Sequence, residues 1–593
     1  MVSCFDELVN HRLNSSVCAV VLGAAIVLVS AACGSTVQPT QSGRQPQRGG
    51  TLYVLDSDPS FASIDPTLVY NGADVAFLDA TLMRSLVSYT YSPDIETANT
   101  LQPDLASDTG TPNADATQWT FTLRDGPKWQ DGTPITCADI KYGISRAFAN
   151  DVLAGGPTYA IEYLAIPTED DGSSAYKGPY DGTGQDLYDQ AVVCDGNTIT
   201  FHLNQSVVDF NYATVWGMYP VKQAADTGLV QPTTDGSPPP NFLSSGPYQI
   251  QSYTTGLGGK MILERNPNWD PASDPVRKAL PDSWEVDFGL DPVSIDQRLM
   301  ASTGVDAMAV MYYGLQAYNR DAVFADPHTP NPDFAGRAVS AYDPYAYYLW
   351  INTKKVPNEL QRQAIAVALD REALRLNASG AFYGDLADGV IPPNMGNEYA
   401  PTGWATDMFG EPVPPDGNPD LARRLIEQSG EPMPDLTFDY WSGPVWDSDA
   451  SIVVNSLARA GINVTPNPMG DTFWPSVRND DVVDEFGAAA WGHDWPNAST
   501  IIPPLFTDAG GWNLSRVHDQ DFVDQVHHAL TTLDRQEQAA KWQALNRTAM
   551  QRAYVVPLTF GLTQTLGGTR VGPLYLWAPF SGWPYAEMGV LPE

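Results

Sequence analysis

For a chain of 593 residues, the side chains able to do chemistry are few, and their spacing excludes more than it offers. Of the seven histidines, His493, His527 and His528 are the ones that invite a metal reading. His527 and His528 are neighbours in a predicted helix and must point in different directions, and no further His or Cys stands at ligand spacing. No metal site and no cofactor are therefore expected. The acidic pairs Asp170-Asp171 and Asp480-Asp481 fall in polar loops and read as solvated carboxylates, not as an acid/base couple. There is no nucleophile elbow and no phosphate-cradling glycine loop of the GxxxxGK type.

Charge narrows the partners further. With 32 basic and 70 acidic residues the net charge is -38, which disfavours phosphate backbones and anionic lipid surfaces, so no nucleic acid is expected. The plain reading is a solubilising acidic surface; the other is attraction of a cationic ligand. Hydrophobic residues at 43% and aromatics at 11% suit a folded chain of more than one domain.

The N-terminus is built differently. An apolar run from Val17 to Ala32 follows Arg12 and ends at Cys33-Gly34, the layout of a signal peptide and too short for a membrane span. Val29-Ser30-Ala31-Ala32-Cys33-Gly34 resembles a bacterial lipobox, with Ser30 where an aliphatic residue is usual. The expectation is a signal peptide over 1–32 and a lipidated Cys33 at the outer face of the cell membrane. A simple cleaved signal and an uncleaved anchor are the alternatives. Residues 33–50, rich in Pro, Gly and Gln, read as a flexible tether. Of five cysteines only Cys137 and Cys194 remain beyond it, and in an exported protein they suggest one disulfide, the alternative being two buried thiols.

The elements that must position any site alternate between strand and helix. Thr51–Leu55 reads as the first strand, Trp119–Leu123 and Thr198–Leu203 as period-two strands, and Thr136 with Asp139 as the start of a helix carrying Ile140, Ile144 and Phe148. The Gly-, Asp-, Tyr- and Pro-rich stretch 154–190 reads as an irregular surface insertion. Glu359–Leu376 reads as a helix, and Asn418 caps another that Gly430 stops. Ser451–Ala460 reads as a helix leading into a strand at 462–464. A helical stretch from Asp519 to Tyr554, broken near Asp534, precedes a buried strand at 555–558. Helix and strand in repeated succession mean an α/β fold.

Four blocks make the chain recognisable: Leu101–Ala106 with Trp119–Ile140; Gly246-Pro247-Tyr248 with Leu263–Pro267; Tyr347–Thr353 leading to Ala368–Glu372; and Trp491-Gly492-His493-Asp494-Trp495-Pro496. Together they resemble the bacterial extracellular solute-binding proteins of family 5, the peptide/nickel/opine receptors of ABC importers. The resemblance implies a two-lobed periplasmic-binding-protein-like fold with an extra subdomain in lobe I. Lobe I would be 50–343 plus 557–593, with the subdomain at about 88–205, and lobe II would be 344–556. It places Cys137 and Cys194 together in that subdomain. It also implies a non-catalytic monomer that captures a small solute, foremost a short peptide, and delivers it to permease subunits in the membrane.

Site residues follow from the same resemblance. Asp494 corresponds to the carboxylate that pairs with a ligand's α-ammonium, which suits a partly desolvated acid making charge-assisted hydrogen bonds. Trp491 and Trp474 correspond to pocket aromatics, supplying apolar area and cation–π attraction. Tyr70 and Asn71 fall where lobe I approaches ligand. The competing readings are an exported hydrolase, which needs two carboxylates fixed across a cleft, and a signalling relative of the same fold.

Overall fold

The computed structural model describes residues 43–508 and 511–593. The signal segment, Cys33 and most of the tether lie outside the described residues. Among those described, no helix is long and apolar enough to cross a membrane.

The chain opens with β1 (Thr51–Leu55), whose Leu52, Val54 and Leu55 are fully buried, and α1 (Gly72–Thr81). A small antiparallel sheet follows. β2 (Thr111–Pro112) and β3 (Gln118–Thr122) lead to α2 (Cys137–Ser145), α3 (Tyr159–Tyr163) and α4 (Gln185–Ala191), and then to β4 (Val192–Asp195) and β5 (Thr198–His202). The strand order is β2-β3-β5-β4. α2 starts as its sequence predicts, with the Asp139 carboxylate accepting the Thr136 N–H at 2.8 Å and Ile140, Ile144 and Phe148 buried beneath it.

Residues 154–190 are not the irregular insertion expected. They contain α3 and α4 and bury Tyr159, Tyr176 and Tyr188, the last two stacked on each other with ring centroids 4.8 Å apart and both in contact with Phe148. Apolar burial of these rings outweighs the local turn preference of the glycines and aspartates around them. A disulfide joins Cys137 at the start of α2 to Cys194 in β4, closing a separation of 57 residues that includes all of α3.

The chain then adds β6 (Tyr248–Thr254), β7 (Lys260–Arg265), β8 (Ser283–Asp287) and β9 (Ala309–Met311), completing a five-stranded sheet of order β9-β1-β8-β7-β6. β1 lies parallel to both its neighbours. The long β10 (Ala338–Ile351) leads into α5 (Glu359–Ala368) and α6 (Arg371–Ala378), where one helix was expected; Asp370 caps the second by accepting the Ala373 N–H. Next come β11 (Gly384–Leu386), α7 (Pro419–Ser429), β12 (Leu436–Tyr440), α8 (Pro444–Ala458), β13 (Val464–Pro468) and β14 (Phe486–Gly492). α7 runs between the predicted limits: Asn418 accepts the Leu421 N–H and Gly430 adopts a left-handed φ of 71°. α8 starts earlier than its sequence suggests, because Pro444 takes the first-turn position, and β13 starts later than the expected strand. α9 (Gln520–Leu530) and α10 (Arg535–Gln551) divide at the Asp534 cap, and β15 (Val555–Leu566) closes a six-stranded sheet of order β11-β15-β10-β14-β12-β13.

Two large cores result. One draws on residues 52–339 and 571–588, the other on 348–556. β10 and β15, paired antiparallel, run from the first to the second: Val339 sits in one core, and Tyr348–Ile351 with Val555 and Val556 in the other. The architecture is a two-lobed α/β fold. One residue breaks the partition. Trp495, 1% exposed and just beyond β14, is buried in the first core.

Candidate binding site

A cavity of about 1920 Å³ lies between the two cores. Phe61, Tyr70, Trp216 and Tyr313 line it from the first, and Tyr347, Tyr440, Trp474 and Trp512 from the second. That is larger than the roughly 300–1,000 Å³ of a drug-sized pocket.

Asp494 enters this cavity from the end of β14. The β10–β14 ladder closes with Tyr345 opposite Gly492, and the His493 N–H reaches the Pro344 carbonyl at 3.3 Å. The chain then leaves the sheet as an arm, 493–500, that docks on the first core. Its anchor is Asp209, 4% exposed, whose Oδ2 accepts from Trp495 Nε1 (2.8 Å), Asn497 Nδ2 (2.6 Å) and Ser499 Oγ (2.6 Å). Trp216 Nε1 donates to the Asp494 carbonyl at 2.8 Å. The Asp494 carboxylate is thereby brought to two phenols: Tyr70 donates to its Oδ2 at 3.3 Å, and Tyr159 donates to the same oxygen in a short bond.

Burial pushes Asp494 up to about 6, an effect the two hydroxyls partly offset and the charge of Glu162 adds to. Tyr70 and Tyr159 are raised in turn, first by burial and then by the Asp494 charge, so both stay protonated as donors. Among the described residues Asp494 forms no ion pair. It is a desolvated acid with donors on one oxygen and no cation.

The other expected residues divide. Trp474 lines the cavity and stacks on Trp512 with centroids 5.3 Å apart. Asn71 lines it too, but its Oδ1 is engaged in capping α1 through the Ala73 N–H at 2.9 Å. Trp491 stands behind the wall instead of on it: its indole donates to the Thr500 carbonyl at 2.6 Å and its ring leans on Trp512, which takes the cavity face. His493 lines the cavity with burial lowering it to about 4, so it is neutral, whereas His527 and His528 are exposed on α9. Among the described residues no group of three or more His, Cys, Asp or Glu is placed to hold a metal ion.

Tyr159, Trp216 and Trp512 were not anticipated. Each is an aromatic in a loop or short helix, with nothing local to distinguish it from core. Four arginines line the cavity, and among the described residues none forms an ion pair with its acids. Arg320 donates to the Leu315 and Phe382 carbonyls, Arg371 donates to the Ala387 and Pro557 carbonyls and lies 3.9 Å from the Trp404 ring, Arg375 pairs with Glu372, and Arg478 lies 4.4 Å from the Trp512 ring.

The profile of the bacterial extracellular solute-binding proteins, family 5 Middle, matches residues 100–513. The periplasmic oligopeptide-binding protein OppA of Salmonella typhimurium is 28% identical over 478 residues, covering 78% of this chain and 79% of its own length. The probable D,D-dipeptide-binding periplasmic protein DdpA of Escherichia coli is 24% identical over 515 residues, covering 85% and 86%. Among solved structures, clavulanic acid biosynthesis oligopeptide binding protein 2 superposes with a TM-score of 0.79 at 28% identity, covering 92% of this chain and 96% of that one. The unliganded open form of the murein tripeptide binding protein MppA gives a TM-score of 0.71 at 19% identity, covering 93% and 99%, a likeness of fold. The two-lobed architecture, the cavity between its cores and a match across most of its length agree: the chain belongs to the bacterial extracellular solute-binding proteins, family 5.

Proposed function

We propose that this protein is the extracytoplasmic binding component of an ABC importer, that its ligand is a short peptide, and that its lobes close on the ligand by a hinge before a membrane permease receives it. The observation that carries the reading is Asp494, a desolvated carboxylate facing an aromatic cavity with donors on one oxygen and no counter-cation. A peptide α-ammonium is the group it lacks, and the surrounding rings favour the same charge. The names of the relatives, oligopeptide- and D,D-dipeptide-binding, point the same way. We read lobe I as 50–343 with 557–593 and lobe II as 344–556, the hinge as β10 and β15, and Cys33 as a lipidated anchor on the outer face of the membrane. No enzymatic step is assigned. The test is native mass spectrometry of the purified protein, followed by calorimetry and small-angle scattering. A co-purifying peptide and a ligand-dependent contraction are expected. No ligand across peptide, opine and metal-chelate libraries, with no contraction, would sink the reading.

A pH dependence follows from the same carboxylate. Free Asp494 titrates near 6, raised by burial. A bound ammonium keeps it ionised, so its pKa falls on binding. Below the free value, binding must expel a proton, and affinity should drop about tenfold per pH unit as pH falls from 6. Above about pH 8 it should drop again as the ligand's α-amino group loses its proton. Calorimetric titrations from pH 4.5 to 9 should therefore trace a plateau with two shoulders; a flat acid limb would mean that Asp494 does not hold the ligand's charge.

A further inference from the structure

Of the four acids that line the cavity, Asp58, Asp343, Asp449 and Asp494, none is in an ion pair among the described residues, and Asp343 is the one whose carboxylate accepts from no side chain. It lies where β10 leaves register with β15, between Tyr342 and Ala346, and it lines the cavity. Its carboxylate lies against Gly561 of β15, where a Cβ would stand 2.2 Å from Oδ2, so a larger residue there would push the carboxylate aside. Its Oδ1 accepts the Tyr345 N–H at 2.8 Å, and among the described residues it enters no ion pair. Burial raises it to about 7, and no nearby cation offsets the rise. Asp58, by contrast, accepts the Tyr313 hydroxyl at 2.7 Å, and Asp449 accepts from Asn377 at 2.7 Å. A desolvated carboxylate with a single backbone donor is costly unless a proton or a cation completes it.

Neighbouring side chains point to a ligand there as well. Thr559, on the same face of β15 as Gly561, is 3% exposed, lines the cavity and has no partner for its hydroxyl. His493, 5% exposed and lining the cavity, has both ring nitrogens unpartnered, and its backbone is bonded to Pro344 beside Asp343. These are neutral groups suited to a polar chain running past an ionic contact. A metal ion would need more ligands than one carboxylate supplies, and no such group exists among the described residues. An ammonium or guanidinium needs only one. Because Tyr345 is opposite Gly492, Asp343 and Asp494 extend from the same end of one two-strand ladder, so a single short ligand can engage both.

We infer that Asp343 is a second cation-binding point, and that the preferred ligand is a peptide carrying a basic side chain in addition to its α-ammonium. The inference rests on the peptide reading above and names the substrate class within it. The test is calorimetry at pH 8 with the mature protein and three sets of tripeptides: trialanine, the three single-lysine variants of trialanine, and the same variants with norleucine, which keeps the length and drops the charge. The wild type should bind at least one lysine peptide about tenfold or more tighter than its norleucine counterpart. In Asp343→Asn that ratio should collapse to about one, while Asp494→Asn should weaken lysine and norleucine peptides alike. Residual trialanine binding by Asp343→Asn certifies its fold, and Asp343→Glu, which restores the charge, should recover part of the ratio. A wild type that binds trialanine but shows no lysine preference overturns this inference and leaves the peptide reading standing, as does a preference that survives in Asp343→Asn. A wild type that binds none of the peptides overturns both.

Discussion

Asp494→Asn is expected to weaken a peptide ligand by about 2 to 4 kcal/mol, the range for removing one partner of a desolvated charge pair. The substitution is nearly isosteric, and the amide oxygen can still accept from Tyr70 and Tyr159, so the cavity keeps its shape. What disappears is the negative charge facing a ligand ammonium. Calorimetry at pH 7, where both the native carboxylate and the ligand amine are largely in their charged forms, should show the loss of affinity, and stopped-flow kinetics should show it mainly as faster release. The acid limb of the pH profile should vanish in the same variant. Unchanged affinity would remove Asp494 from the site.

Asp209→Ala is expected to destabilise the fold by about 3 to 5 kcal/mol, because it strands the indole of Trp495, the amide of Asn497 and the hydroxyl of Ser499, all now satisfied by one carboxylate oxygen. The effect should reach the ligand, since the same arm sets the backbone of Asp494 against Trp216. Denaturant unfolding measures the first part and ligand titration the second. Asp209→Asn, which keeps an acceptor, should recover a substantial share of both. A loss below about 1 kcal/mol in the alanine variant would mean that apolar burial of Trp495, and not the Asp209 hub, holds the arm.

What could be read from the sequence was what local chemistry decides. Asn418, Pro419 and Gly430 delimit α7 by capping, and Thr136 with Asp139 opens α2 in the same way. The division of the last helical stretch at Asp534 is likewise an N-cap. The fold itself came from recognisable blocks, since periodicity alone stops at α/β. What could not be read depends on contacts across the chain. Tyr159 lies 335 residues from Asp494, inside a stretch whose composition says only turn. Trp491 and Trp512 are alike as residues, and which of them faces the cavity is decided by whether its indole finds a carbonyl behind the wall, as Trp491 does in Thr500. Asp343 is hidden for another reason: its setting depends on a break in register between two strands more than 200 residues apart, which no pattern within either strand announces.

The bond between Cys137 and Cys194 encloses the segment that carries Tyr159. The hydroxyl that meets Asp494 therefore belongs to a covalently closed span, whose chain has fewer conformations to give up in presenting it than an open one would.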